Sequence, residues 1–353
     1  MSPRASLPEV VPVHIDVLRV RLAFRRPVVA AHGTETHREV VLVRAAAPDG
    51  SEGWGECGAL AAPTYTGEWT DGAESVLRRF LVPAAIAGEA SAVTGHPMAT
   101  AAVEAAVVEL RLAAAGLSLS DWIGAVRDRV PCGVAVGIAG SVDLLLEEVA
   151  AVAADGYRRV KLKVRPGWDV EPVVAVRSAW PDLPLSVDAN GSYTVDDLGG
   201  ALATLDGLGL VEIEQPLPAR DLLGLAEAAA RLDTPVCLDE SVGSVEDLEV
   251  ALALGALDHL NLKPGRVGGV VEALRIHDLA WSRGVPMWVG GMMETGVGKA
   301  VSVALAALPG ATLPGDLPAS TRWFVEDLTE PWVVAPDGTM AVRPAGPVRP
   351  PGP

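Results

Sequence analysis

Lysines and carboxylates are the residues of this 353-residue chain whose types and spacing could do chemistry. Only four of the twenty-eight basic residues are lysine, and three of them, Lys161, Lys163 and Lys263, fall in the strand-like runs VKLKV and LNLKP. Arginine keeps its proton near neutral pH, so a chain that otherwise prefers arginine is read as keeping lysine where a proton must move. Between those runs, three carboxylates end further strand-like runs: Asp188 in LSVDAN, Glu214 in VEIEQP and Asp239 in VCLDES. Hard divalent cations such as magnesium want oxygen ligands, and one carboxylate from each of three adjacent strands supplies them while leaving sites for substrate and water. The predicted chemistry is metal-assisted proton transfer. Two plainer readings stand beside it. Asp188 and Asp239 could merely cap the helices that follow, and the lysines could belong to a structural ion-pair network. The fourth lysine, Lys299, lies on a helix after GGMMETGVG and reads as an ordinary helix residue.

Positioning these groups needs a repeating element. Residues 163, 188, 214, 239 and 263 are separated by 25, 26, 25 and 24 residues, about one strand plus one helix, the repeat of a barrel whose strand ends carry the chemistry. Lys161 and Lys163 share a strand, and period-two alternation points both to one face, the interior. Nearby carboxylates would offset the burial of two ammonium groups, and close positive charge would lower a lysine pKa towards the range a general base requires. From Val130 onward the sequence reads as seven strand–helix units, with a short eighth strand expected near Ala311 to Leu313. Ahead of them, VHIDVLRVRLAF and REVVLVRAAA read as strands joined by the loop RRPVVAAHGTETH, which is expected to reach over a pocket. A short strand and helical segments from about Ala73 to Ala115 complete an α+β region. The expected divisions are 1–128 for a capping domain, 129–329 for the barrel, and 330–353 for a segment that returns to the cap. In that last segment APDGTMAV is read as a hairpin and PAGPVRPPGP as flexible.

Composition excludes several classes. The net charge of −17 repels nucleic-acid backbones and acidic lipid, so neither is an expected partner. No apolar run is long enough to span a bilayer, and MSPRASLPEVVPVHIDV has no apolar stretch behind a basic start, so no secretory signal is read and cytoplasm is the expected compartment. Cys57, Cys132 and Cys237 are too few and too scattered for a disulfide framework or a thiolate metal site.

The order Lys-x-Lys, Asp, Glu, Asp, Lys on successive strands resembles the enolase superfamily in its muconate-lactonizing subgroup. The metal-plus-base chemistry of that superfamily is a known pattern. EGWGEC, PTYTGEWTDGA, VPCGVAVG, VDANGSYT, IEQPL, LNLKPGRVGGV, GGMMETGVGKA and LPGDLPAS are similar to the o-succinylbenzoate synthase/N-succinylamino acid racemase subfamily over most of residues 15 to 335. The resemblance implies an α/β fold, a (β/α)7β modified TIM barrel under an α+β capping domain built from both termini. It also implies Mg2+, for which Mn2+ can substitute, on Asp188, Glu214 and Asp239, with Lys163 and Lys263 as the acid/base pair. Lys161, Arg266, Asn190 and Asn261 are the expected supporting residues, and Ala135, His32, Gly291, Met292 and Glu294 the expected substrate contacts. Three departures bear on the pocket and cap: Ala135 stands where serine is usual, the capping loop reads AAHG without an aromatic before its glycine, and the C-terminus is short.

The activity implied is abstraction of the proton alpha to a carboxylate of a small molecule, serving either dehydration to o-succinylbenzoate, a menaquinone precursor, or racemisation of N-succinyl or other N-acyl amino acids. Arg266, three residues after Lys263, is read either as depressing that lysine's pKa or as a loop ion-pair residue. Dipeptide epimerase and muconate cycloisomerase are the alternatives within the superfamily, a Schiff-base lyase or a non-catalytic binding barrel outside it. A homo-oligomer is expected.

Overall fold

The computed structural model describes residues 6–30 and 33–349. Three antiparallel strands come first, β1 (His14–Ala30), β2 (Gly33–Ala46) and β3 (Glu52–Cys57), in the order β1-β2-β3. They are followed by α1 (Thr70–Val76), a π-helical turn over Leu77–Leu81, α2 (Val82–Ala87), α3 (Pro97–Ala115) and α4 (Leu119–Ile123). Pro97 opens α3 where no intrahelical donor is needed, and Gly116 closes it in the left-handed conformation that glycine adopts without strain. Valines on β1 and β2 and small residues on α3 bury one face of the sheet against that helix.

Eight parallel strands form the barrel: β4 (Arg129–Val136), β5 (Arg159–Lys163), β6 (Leu185–Asp188), β7 (Ile213–Glu214), β8 (Val236–Leu238), β9 (His259–Leu262), β10 (Met287–Val289) and β11 (Gly315–Asp316). Their residues are almost all buried, as strands covered on both faces must be. The helices between them are α5 (Val142–Ala154), α6 (Val170–Ala179), α7 (Ala201–Asp206), α8 (Leu222–Arg231), α9 (Val245–Leu254), α10 (Pro264–Val267), α11 (Val270–Ser282) and α12 (Gly296–Ala306). The fold is therefore a (β/α)7β barrel with an α+β cap. A bridge between Met287 and Ala311 completes the ring beside β10.

Three details differ from the sequence reading. The eighth strand is Gly315–Asp316 rather than 311–313, because Ala311 makes only an isolated bridge while Gly315 and Asp316 pair with Cys132 and Gly133. Residues 25–30 and 33–37, read as a loop, extend the hairpin instead; its register shifts between Ala23 and Val28, around Pro27, which cannot donate to a ladder. At that shift the hairpin meets the barrel: Phe24 bridges Phe324, and their rings stack with centroids 6.0 Å apart. Finally, APDGTMAV forms no hairpin with the cap. β12 (Thr339–Ala341) pairs antiparallel with Arg129–Pro131 at the start of β4, and the chain then runs back until Val348 packs against the β1–β2 hairpin.

The approach of β3 to α3 is set by two glycines. A Cβ on Gly55 would lie 1.9 Å from the Ala102 carbonyl oxygen, and one on Gly53 would lie 2.1 Å from that of Ala106. Both obstacles are backbone and cannot turn aside. Gly55→Ala should therefore destabilise the protein by about 2–3 kcal/mol, the usual cost of overpacking, whereas Gly67→Ala, in open space, should leave the melting temperature unchanged. Equal melting curves for the two variants would contradict this account of the cap.

Candidate active site

β5 to β9 are consecutive in the barrel, so Lys163 at the end of β5 and Lys263 just after β9 flank three strand ends. Those ends carry Asp188 on β6, Glu214 on β7 and Asp239 directly after β8. Side by side in register are Lys163 with Asp188, and Asp188 with Glu214. The trio is fully buried. Neither aspartate caps a helix: Thr194 and Ser244 occupy the cap positions of the following helical segments.

Each carboxylate is held by a cation or amide. Lys163 Nζ donates to Asp188 Oδ2 at 2.6 Å and to Asn190 Oδ1 at 2.6 Å, while Asn190 Nδ2 donates to Glu240 at 2.8 Å. Lys161 lies 2.5 Å from Glu214, 2.6 Å from Asp316 and 3.3 Å from Asp188, with its ammonium 4.6 Å from the centre of the Trp288 ring. Asn261 Nδ2 donates to the other Glu214 oxygen at 2.7 Å. Lys263 Nζ donates to Asp239 Oδ2 at 2.7 Å and to the Tyr65 hydroxyl at 2.9 Å; that hydroxyl in turn donates to Asp239. Gly290 makes room for this lysine, since a Cβ there would lie 2.8 Å from Lys263 Cε. The two flanking lysines differ in access: the Lys163 side chain is 34% exposed and that of Lys263 is 10% exposed, beneath Tyr65.

Burial pulls the Lys161 and Lys263 ammonium groups down, but facing carboxylates outweigh it, and both pKa values end above the ordinary lysine value. The lowered lysine pKa expected from the sequence is absent for these two. Burial would likewise raise Asp188, yet Lys163 and Lys161 hold it below the usual range. Glu214 goes the other way, raised by burial and then by Asp188. Arg266 does not act on Lys263 directly. Its Nε is 3.1 Å from Asp239 Oδ1, an ion pair rather than an aligned hydrogen bond, and its other nitrogens donate to the Val242 and Asn261 carbonyls.

Among the described residues no three carboxylate, histidine or cysteine groups stand in ion-ligating geometry, and ammonium groups lie against oxygens of all three carboxylates. The donor set nevertheless suits a hard divalent cation. Three buried carboxylates meet at neighbouring strand ends, and the buried oxygens Glu240 Oε2 and Asn261 Oδ1 have no hydrogen-bond partner.

Tyr65, Lys161, Lys163, Asp188, Asn190 and Lys263 line a cavity of about 630 Å3 between barrel and cap, a volume suited to a small molecule. Ala135, Gly291, Met292 and Glu294 line it as expected from the sequence; His32 lies outside the described residues. Sequence reasoning missed three side chains there. Tyr65, from the PTYTGEW loop, reaches over Lys263, and Asp316 on β11 completes the carboxylate ring around Lys161. Lys299 is the third, and it is not an ordinary helix residue. It is buried in the cavity wall and donates to the Pro318 carbonyl at 2.7 Å, and burial lowers its pKa. Its scarcity as a lysine was the available signal.

Comparison with known proteins agrees with this architecture. Residues 13–124 match the mandelate racemase/muconate lactonizing enzyme N-terminal domain, and residues 144–348 the enolase C-terminal domain-like family. The chain is 48% identical over 344 residues to an N-succinylamino acid racemase from Amycolatopsis sp., covering 94% of this chain and 92% of that protein. It is 40% identical to an o-succinylbenzoate synthase from Geobacillus stearothermophilus, covering 93% and 90%. A solved structure of a probable mandelate racemase from Alicyclobacillus acidocaldarius superposes with a TM-score of 0.85 at 41% identity, covering 94% and 92%. Enzymes of this family generally use a divalent metal ion. With both domain models matched and both kinds of relative similar over nine-tenths of its length, the chain belongs to the enolase superfamily, in the o-succinylbenzoate synthase/N-succinylamino acid racemase group of its muconate-lactonizing branch.

Proposed function

We propose that the protein abstracts the proton alpha to a carboxylate, dehydrating a cyclohexadiene precursor to o-succinylbenzoate and racemising N-succinyl amino acids, with Mg2+ as its metal. The observation that carries the reading is a pair of lysines flanking three buried carboxylates, with both lysines and Asp188 lining one cavity. Asp188, Glu214 and Asp239 would hold the ion, which supplies electrophilic stabilisation to the negative charge that builds on the substrate carboxylate.

Everything else is done by the chain's own side chains. In racemisation, Lys163 takes the α-proton from one face and Lys263 returns a proton to the other, so the centre inverts; the reverse direction exchanges the roles. In dehydration, Lys163 takes the α-proton and then delivers it to the departing hydroxyl on the same face, releasing water, while the Lys263 ammonium steadies the enediolate. A base must first be free of its proton. Asp239 holds Lys263 charged, and Arg266, paired to the same carboxylate, draws charge from it. That competition is how Arg266 eases proton loss from Lys263. Tyr65 stays a neutral donor, because burial and Asp239 raise its pKa.

A succinyl arm carries a second carboxylate, and Lys299 is the cation to receive it. It lines the same cavity, its one hydrogen-bond partner named here is a neutral carbonyl, and no ion pair of it appears among the described residues.

Chelation should abolish turnover of both substrates, and magnesium should restore it. Asp239→Asn should weaken magnesium binding measured by calorimetry, and full activity in that variant with no bound metal would refute the ligand assignment. For the bases, Lys163→Ala should stop both reactions. Lys263→Arg keeps the charge but accepts no proton; it should lose racemisation while one enantiomer still exchanges its α-proton with deuterated solvent. Wild-type racemase rates in Lys263→Arg would rule out the two-base scheme. Lys299→Met nearly conserves volume and removes the charge. It should raise KM for an N-succinyl amino acid about tenfold or more, the worth of one charge-assisted hydrogen bond, and change KM for the N-acetyl analogue little. A parallel rise in both KM values would overturn the role of Lys299.

A further inference from the structure

The Gly290–Thr295 loop between β10 and α12 forms one wall of the cavity through Gly291, Met292, Met293 and Glu294. Left to itself it is a poor wall. It begins with two glycines, and Met293 has a φ of 57°, a left-handed conformation that a side chain of this type rarely adopts. Such strain persists only where the surroundings over-determine it. Most of those surroundings come from the other domain. Met292 is buried in the cap core, and a Cβ on Gly58 would lie 3.2 Å from Met292 Cβ. Met293 packs against the mixed cluster in which side chains of the β1–β2 hairpin meet Val297, Phe324 and Leu328.

Immediately after Met293 and Glu294 the loop is fixed by a single cap carboxylate. Glu56, on β3, accepts from Thr295 N at 3.0 Å, from Thr295 Oγ1 at 2.6 Å and from Gly298 N at 3.0 Å. Thr295 N and Gly298 N are two of the open donors at the start of α12, where a negative charge is favoured; between them Gly296 N donates to Asp327 and Val297 N to Thr295 Oγ1. Glu56 is buried, and burial raises its carboxyl to about 7 despite those donors. No substrate-facing or metal-binding role accounts for an acid in this position.

A second cap carboxylate makes the same kind of contact elsewhere and serves as an internal control. Glu104, on α3, accepts from Val270 N at 2.7 Å and Val271 N at 2.8 Å at the start of α11. It is half-buried, and its contact joins cap to barrel without touching a segment that lines the cavity.

We infer that Glu56 is a positioning residue: by fixing Thr295 and the start of α12 from the cap, it holds the Met292–Glu294 wall and thereby sets which substrate side chains the cavity accepts. The inference deepens the proposed function and rests on it for the identity of the substrate. Glu104, by contrast, serves attachment of the cap alone.

The test compares Glu56→Gln and Glu104→Gln with the wild-type enzyme in magnesium, at a pH above 7 where Glu56 is ionised. Two probes are used, N-succinylphenylalanine and N-succinylalanine, with hydrogen exchange followed at the Thr295 and Gly298 amides. In Glu56→Gln an amide N–H replaces an acceptor oxygen. Exchange at Thr295 and Gly298 should speed up, and KM for the phenylalanine derivative should rise about tenfold with kcat within about threefold, a loss of binding rather than of chemistry. The kcat/KM ratio between the two probes should shift, whereas Glu104→Gln should leave that ratio and the Thr295 exchange at wild-type values. Unchanged probe preference in Glu56→Gln, or the same shift in both variants, overturns the positioning role. If Glu56→Gln does not fold, Thr295→Val, which removes the hydroxyl's bond to Glu56 together with its acceptance from Val297 N, is held to the same outcomes. Wild-type enzyme that turns over neither probe would sink the proposed function instead, and the exchange rates would then still decide whether Glu56 fixes the loop.

Discussion

Burying charge of both signs in one barrel mouth is the constraint on which the rest of this molecule depends. Asp188, Glu214, Asp239 and Asp316 face Lys161, Lys163 and Lys263 in direct ion pairs, and of these side chains only that of Lys163 is substantially exposed. A single buried ion of either sign would cost several kcal/mol, so no member is independent of the others. The surroundings follow from that interdependence. Trp288 offers its ring face to Lys161 and Arg159 from below, Asn261 satisfies the free oxygen of Glu214, and Tyr65 closes the assembly from the cap. Gln215 joins two of the carboxylate strands by accepting from Asp239 N and Ser241 N.

The same interdependence explains why the two domains form one site. The barrel brings the charges to one end, but it cannot exclude water from them alone. The cap supplies that closure through Tyr65 and the segments facing Met292 and Met293. Carboxylates do the joining because the open N-termini of barrel helices are fixed, directional partners. An acid buried against backbone donors gives a domain contact defined in position as well as in energy.

Much of this was legible in the sequence, and what was not has physical causes. The trio and both flanking lysines could be read because each ends its own strand, and a barrel converts a step of about 25 residues in sequence into adjacency in space. Lys161 was assigned its inward face from alternation alone. Lys299 escaped because a helix gives no such sign: whether its one buried face meets a cavity or packed side chains depends on partners distant in sequence. Asp316 sits on a two-residue strand, too short for any periodicity, and Tyr65 on a loop, which has none. Arg266 was legible only as two alternatives, because proximity in sequence to Lys263 does not fix where a guanidinium points; it pairs with Asp239, which also holds Lys263. For β12, a turn signal in the sequence could mark a reversal but not the strand that receives it.

The pairing of β4 has one more implication. The two edges of this first barrel strand are completed from the same part of the chain: β12 pairs along Arg129–Pro131 on the edge that β5 continues from Gly133, β11 pairs along Cys132–Gly133 on the other, and both follow every other barrel strand in sequence. A nascent chain therefore exposes the edge that β11 covers until β5 to β10 have all been made, with the hazard of mispairing that an open edge carries. Because Asp316 arrives with β11, the charge around Lys161 is also incomplete until then. Ring closure and electrostatic balance of the site are one late event, and a chain stopped short of it would have neither a sealed barrel nor a compensated interior.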